Sequence, residues 1–407
     1  MSFLGTFRSL RSPNYRIWAA GALVSNVGTW MQRTAQDWLV LTQLTHNNAT
    51  AMGVVMALQF VPQILLLPWT GFAADHFNQR KLLVATQASM SVLALSLGVL
   101  TITGLVELWH VCIFAFLFGS AASFDAPVRQ TFVAELVGDK DLHNAVALNA
   151  TSFNTARMIG PDVAGLTIAA LGTGWAFLFN GASFVAVLTS LAFLRTAELR
   201  ASARALRAKG SFTEGFRYVW GRPDLKAILI MLFLIGTFGM NFPIFISTMA
   251  VSVFHADALG YGLLSSIMAV GTVAGALLNA RRERPQFRLL LVGAGVFGLG
   301  CTLAAIAPGY WFFAGALVIT GVAALTFNNT TNSLMQLTTE PAMRGRVMAL
   351  RVAIALGGTP IGAPIVGWVA NNFGPRWSLG IGAASGFIAA LVAIFVLVRA
   401  RRPQGGG

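Results

Sequence analysis

Arg33 and Asp37 lie four residues apart inside one long apolar stretch, and Arg157 and Asp162 lie inside another. A spacing of four places Arg33 and Asp37 on one face of a helix. An ionisable side chain facing hydrocarbon is costly, so each of these needs a partner or a water-filled cavity. A carboxylate beside a guanidinium stays ionised; separated from it and desolvated, the same carboxylate takes up a proton. The chemistry within reach is therefore reversible proton binding. Asp37 and Asp162 are the candidate carriers, with Arg33 and Arg157 as their switching partners. The alternatives are that Asp37 is a helix-end residue already in water, and that Asp162 keeps a permanent ion pair with an arginine. Other chemistries find few groups. His46, His76, His110, His143 and His255 fall in loops or near helix ends and none pairs with another. Cys112 and Cys301 both sit in apolar runs and make neither a disulfide framework nor a metal set. No phosphate-binding loop occurs. Enzymatic catalysis, a nucleotide motor and a metal centre have no residues to draw on, and no cofactor is expected.

The elements that must hold these four residues are membrane spans. Of 407 residues, 56% are hydrophobic and only 10% charged, against about 25% charged in a soluble domain. Fourteen acids and twenty-eight bases cannot coat a soluble surface of this size, so lipid must cover much of it. A span needs about 20 mostly apolar residues, and twelve are predicted, near 15–43, 49–74, 81–104, 108–127, 143–170, 174–195, 225–254, 258–280, 288–307, 310–336, 346–370 and 376–398. The first is read as a retained helix rather than a signal peptide, because it carries Arg33 and Asp37. The fold class is an all-α membrane protein. Its organisation is a six-helix bundle over 1–195, a basic linker over 196–224 and a second six-helix bundle over 225–407. The linker, with Arg200, Arg204, Arg207, Lys209, Arg217 and Arg222, either lies on the membrane surface or is a solvated connection carrying orienting charges.

The net charge of +14 would suggest nucleic acid in a soluble chain. Here the bases cluster in alternate short loops, as membrane orientation requires. Arg8, Arg11, Arg16, Arg80, Lys81, Arg129, Lys140, the linker cluster with Arg195 and Lys226, Arg281 to Arg288, Arg344, Arg346, Arg351 and Arg399 to Arg402 all fall on one side, leaving Arg33, Arg157 and Arg376 elsewhere. Both termini are expected in the cytoplasm, the chain in the cell (inner) membrane, and no nucleic-acid partner.

The second half echoes the first at an offset of about 202 residues. Gly160-Pro161 through Gly165 matches the Gly-Pro-rich run from Gly358 to Gly367, and Gly174-Trp175 matches Arg376-Trp377. After the second span stands Gly71-Phe-Ala-Ala-Asp75-His76-Phe-Asn-Gln-Arg80-Lys81. This resembles the loop motif of the major facilitator superfamily, with His76 where the family usually has Arg. Phe124-Asp125-Ala-Pro-Val-Arg129-Gln, Asn144-Ala and Arg157-Met-Ile-Gly160-Pro161, with Met31-Gln32 through Thr42 in the first span, resemble the enterobactin-exporter-like and macrolide-efflux branch, drug:proton antiporter group 3. The resemblance covers essentially the whole chain. It implies the major facilitator fold, two pseudo-symmetric bundles of six helices.

By that resemblance Gly71, Asp75, Arg80, Lys81 and Arg129 would form a cytoplasmic gate; the alternative is a folding or topology role. Asp125 would serve the gate or an interface. Gly160, Pro161 and Gly165 resemble the antiporter motif of the fifth span, which would pack on the eighth span at Gly271 and Gly275. The cavity would be lined by the first, fourth, seventh and tenth spans. Asn26, Trp30, Gln36, Asn241, Phe245, Asn328, Asn329 and Asn332 are its candidates, amides and aromatics suited to amphipathic molecules. For Asn328, Asn329 and Asn332 the other reading is hydrogen bonding to neighbouring helices. The expected function is proton-coupled secondary export of small amphipathic molecules, drug or siderophore, by a monomer whose partners are substrate, protons and the bilayer. The alternatives are a lipid or lysolipid translocator of the same fold and a transport-dead sensor or scaffold.

Overall fold

The computed structural model describes residues 7–199, 212–280 and 286–401. Among them the regular elements are helical: α1 (Pro13–Trp38), α2 (Ala49–Leu65), α3 (Leu67–His76), α4 (Gln79–Ile102), α5 (Leu108–Leu136), α6 (Asp139–Leu171) and α7 (Thr173–Ala192), then the short α8 (Phe212–Trp220). The second series is α9 (Pro223–Leu234), α10 (Phe242–Thr248), α11 (Ala258–Ala280), α12 (Phe287–Ala305), α13 (Tyr310–Thr338), α14 (Pro341–Phe373) and α15 (Pro375–Arg401). Linker residues Arg200, Arg204, Arg207 and Lys209, and Arg281, Arg282 and Arg284, lie outside the described residues.

Among the described residues nine helices are long and apolar enough to cross a bilayer, and the bent pair α2–α3 makes a tenth. α1 and α6 have the length, with 26 and 33 residues. Their composition is more polar, because they carry the Arg and Asp residues singled out above. They complete the expected twelve. The chain is a multi-pass membrane protein. Exposed Trp69, Val92, Leu166, Phe193, Leu277 and Leu391 would be a liability in water and are ordinary against lipid.

Sequence chemistry sets the ends. Proline opens α9, α14 and α1 at their first turns, where its missing N–H costs nothing. Asn78 caps α4 by accepting from the Lys81 N–H at 3.0 Å. Gly172 and Gly374, at φ +99° and +100°, turn α6 into α7 and α14 into α15, a left-handed backbone that favours glycine. Those two glycines mark the repeat. α5 and α13 have 29 residues each, α6 and α14 have 33 each, and both pairs start 202 residues apart (310 − 108 and 341 − 139). The packing repeats as well: α4 lies on α7 and α12 on α15, α4 on α5 and α12 on α13, α1 on α7 and α9 on α15. Glycines permit the close crossings, Gly98 against Gly174 in the first series and Gly386 against Gly298 in the second.

Three spans differ from their expected form. The second is bent by 56° at Leu66, between α2 and α3, where Pro62 and Pro68 interrupt the hydrogen-bond ladder. The seventh is broken: a π turn over Ile235–Gly239 and non-helical backbone at Asn241 separate α9 from α10. The fourth runs on to Leu136 rather than ending near 127, so Asp125 stands inside a helix and not at its end.

The chain forms two compact units. One comprises Met1–His46, Leu58–Leu206 and Ala256–Leu263; the other comprises Asn47–Ala57, Arg207–His255 and Leu264–Gly407. Each therefore holds a short segment from the opposite half of the sequence. In the first, Gly262 packs on the Pro161 carbonyl, Gly165 packs on Ala258, and Tyr261 stacks on Trp38 with ring centroids 6.0 Å apart. In the second, Gly53 packs on the Ala363 carbonyl and Gly367 on that of Ala49.

Candidate functional site

The first helix carries an unusual load of buried polar groups: Ser25, Gln32, Thr34, Gln36 and Asp37. Its faces divide the work. Gln32 accepts from Asn180 of α7, while Gly28 lies under Asn180 and Ser183. Toward α6, Gly160 presses on the Trp30 Cβ, Phe153 meets the Trp30 ring edge-on at 5.7 Å, and Thr167 reaches the Met31 sulfur at 3.9 Å. The remaining stripe runs Asn26, Trp30, Arg33, Asp37, at the i, i+4, i+7 and i+11 positions that share one face of an α-helix. Four candidates named separately from sequence thus fall on one line. Gln36 lies a quarter turn away from it and is buried.

Arg33 is held by rings. Its guanidinium carbon lies 4.9 Å from the centroid of Trp30 and 5.5 Å from that of Phe60, a cation–π placement that fixes the head group without consuming its in-plane donors. Nε is buried without a hydrogen-bond partner among the described residues. Asp37, one turn on and 8% exposed, has no hydrogen bond among the described residues. No ion pair within 4.0 Å joins it to Arg33, or either of them to Arg157 or Asp162. The expected four-residue charged network does not close around α1, because α1 and α6 meet through Trp30, Gly160 and Met31 instead. Arg157 and Asp162 are half-buried on α6. The arrangement at α1 leaves a guanidinium and a carboxylate on one stripe, neither held by an ion pair among the described residues.

The Gly160–Gly165 motif lies in an unbroken helix despite Pro161. Its three small positions make contacts to two helices: Gly160 to α1, and Pro161 and Gly165 to the start of α11. The expected partners Gly271 and Gly275 are elsewhere. They pack on Val318 and Val322 of α13; it is Ala258 and Gly262, a turn or more earlier in α11, that meet α6.

The expected gate residues have other engagements. Arg80 Nε donates to the Leu191 carbonyl at 3.0 Å, in the last turn of α7. Arg129 Nε donates to Asp125 Oδ2 at 3.0 Å, and its guanidinium stands 5.7 Å from the Trp18 ring. Asp125 also accepts from Thr86 Oγ1 at 2.9 Å and Gln87 Nε2 at 2.7 Å. Asp125 and Arg129 are thus the centre of a buried polar node joining α4 and α5. Gly71 is half-buried in α3, Lys81 is exposed, and the side chain of Asp75 lies outside what the structure describes.

In the second series, Asn241 stands at the break before α10, donating from Nδ2 to the Thr237 carbonyl at 2.7 Å, with Oδ1 buried and without a partner among the described residues. Phe245 is fully buried, packed against Phe242 and against Gly382 of α15; it is a packing residue, not a cavity wall. Asn329 and Asn332 are half-buried on α13. Asn328 accepts from Arg351 of α14 through both its side-chain and backbone oxygens, while Arg351 Nε is buried without a partner among the described residues. Sequence reading counted Arg351 only among the orienting bases. Depth was the missed signal: α14 starts at Pro341, and ten residues of helix rise about 15 Å.

Residues 4–404 match the family model described as transmembrane secretion effector. The multidrug efflux pump Tap of Mycolicibacterium fortuitum is 25% identical over 87% of this chain and 88% of its own length. The enterobactin exporter EntS of Shigella flexneri is 24% identical over 89% of this chain and 87% of its own. A solved bacterial homologue of the human lysosomal transporter Spinster, inward-facing and occupied, superposes with a TM-score of 0.73, at 14% identity, over 95% of this chain and 97% of its own; that likeness carries the fold.

Proposed function

We propose, from the premise that this chain belongs to the transmembrane secretion effector family of the major facilitator superfamily, that it exports small amphipathic molecules in exchange for protons. A membrane transporter of small molecules follows from the family; direction, drive and substrate are the proposal. One observation carries it: Arg33 and Asp37 stand on the same stripe of a membrane helix, and neither neutralises the other by an ion pair. Charges inside a membrane protein are retained for a pathway. Arg33, gripped by Trp30 and Phe60, supplies donors and an aromatic wall to a substrate. Asp37 carries the proton. Substrate held beside Arg33 and a proton held on Asp37 are mutually exclusive states in this reading, so that one enters as the other leaves, which is the logic of antiport. A proton moving inward yields about 2.3 kcal/mol per 100 mV, plus the pH term. Relatives that export drugs and a siderophore favour this direction and substrate class.

Both termini are assigned to the cytoplasm on the distribution of bases, the membrane is the cell (inner) membrane, and the working unit is a monomer. On the same reading, Asn26, Asn241, Asn328, Asn329 and Asn332 contribute polar contacts to substrate. Asp162 and Arg157 are the reserve coupling pair, and Asp75 with Lys81 retains a gating role.

The test is reconstitution of purified protein in liposomes loaded with a pH-sensitive dye, under an imposed proton gradient, challenged with amphipathic drugs and siderophores. Substrate-dependent proton flux that disappears in Asp37→Asn supports the reading. Flux that survives moves coupling to Asp162. No substrate-dependent proton movement in folded protein refutes antiport.

A further inference from the structure

Outside the transport stripe, the second unit carries an apolar groove on its outer surface, about 180 Å³ in volume, among α8, α9 and α14. Phe216 and Trp220 of α8, Ile230 and Phe233 of α9 and Ile354 of α14 line it. The first four are exposed. α8 is held in place by the Glu214–Arg346 ion pair at 3.2 Å and by Gly215 packing on Arg346, so the groove is preformed. Its volume is well below the roughly 300 Å³ at which pockets begin to hold drug-sized ligands. A slim hydrocarbon chain fits where a transported drug does not.

The rim of the groove is cationic. Lys226, in the first turn of α9, places its ammonium 4.3 Å from the Trp220 ring centroid, and no carboxylate lies within 4.0 Å of it among the described residues. Its neighbour Arg222 is already satisfied by Asp224 at 3.0 and 2.7 Å. Phe216 stacks on Trp220 with centroids 4.9 Å apart, and tryptophan is a residue enriched at headgroup depth. A slot for hydrocarbon thus ends at an ammonium with no carboxylate partner among the described residues, where the chain enters the membrane.

We propose that this groove seats an anionic phospholipid, with one acyl chain along Phe216, Ile230 and Ile354 and its phosphate on Lys226. Charge decides the class: a lysine near the surface with no ion pair among the described residues favours a lipid of net negative charge over a zwitterionic one. The lipid bridges α8 and α14 from outside and adds to the hold of Glu214 on Arg346.

Full-length protein is reconstituted in bilayers containing brominated phosphatidylglycerol or brominated phosphatidylcholine, each referred to its unbrominated form. The fluorescence quenched in wild type but not in Trp220→Phe isolates the Trp220 signal. Brominated phosphatidylglycerol is expected to quench that signal with roughly fivefold preference; Lys226→Gln abolishes the preference and Lys226→Arg keeps it. Equal quenching by both lipids, a preference that survives Lys226→Gln, or quenching by neither, as a second protein copy over the groove would give, overturns the proposal. Matching elution profiles and thermal midpoints show that the variants are folded.

Discussion

Arg33 and Asp37 occupy successive turns of one stripe of α1, yet they do not close to ion-pair distance; the guanidinium is turned onto Trp30 and Phe60 instead. A permanent ion pair would fix both charges and leave nothing to exchange. The separation is what gives Asp37 a function to test. Asp37→Asn should lower substrate-driven proton flux at least tenfold while leaving substrate binding measurable by tryptophan quenching, and Asp37→Glu should retain part of the flux. Loss of binding and flux together would make Asp37 a substrate ligand rather than a carrier.

The Asp125 node should govern stability rather than turnover. Asp125 accepts from Thr86, Gln87 and Arg129 and is buried. Asp125→Ala leaves the Arg129 charge without its partner, at a cost of about 3–5 kcal/mol. Thr86→Val removes one neutral donor and should cost about 1 kcal/mol. Thermal midpoints in detergent, read by intrinsic fluorescence, should fall in that order.

Glycines at close crossings should be intolerant where others are not. A Cβ on Gly53 meets the Ala363 carbonyl, whereas one on Gly295 of α12 meets nothing within 4 Å. Gly53→Val should lower the midpoint by an amount equivalent to about 1–3 kcal/mol. Gly295→Ala should be neutral, or stabilising by about 0.5–1 kcal/mol through helix propensity.

Arg351 is the fourth test. Its contact to Asn328 ties α14 to α13 while Nε stays unpartnered. If it offers that donor to substrate, Arg351→Met should raise the substrate KM about tenfold with little change in maximal flux, since an apolar chain of similar length preserves the packing. An unchanged KM would make Arg351 purely structural.

Hydropathy and the 202-residue echo revealed the helical architecture, because burial in lipid leaves a strong one-dimensional signal. They could not reveal the π turn at Ile235–Gly239 or the kink at Leu66, which depend on local hydrogen-bond geometry. The stripe Asn26, Trp30, Arg33, Asp37 is half legible: the helical spacing is in the sequence, but which face of α1 remains after packing on α6 and α7 is not. Partner choice was illegible. Gly271 and Gly275 look like helix-crossing residues and are, but which helix they cross depends on rotation about α11, which composition does not encode. Arg129 and Arg80 illustrate the same limit, since a basic residue that the sequence places near a helix end can bond a carbonyl, join a node or serve a gate with identical sequence context.

The exchange of segments between the two units bears on biosynthesis. The turns of α2 around Gly53 are made early, but Ala363, against which they pack, is made close to the end. At about 5–20 residues per second, that face of α2 waits on the order of 15–60 s after leaving the ribosome. During this interval the glycine face of α2 lies in the bilayer without the α14 backbone that later covers it. Chains stalled or truncated before α14 should therefore be preferred targets of membrane quality control, and separately expressed halves should each present the protease with a surface that the full-length protein never shows.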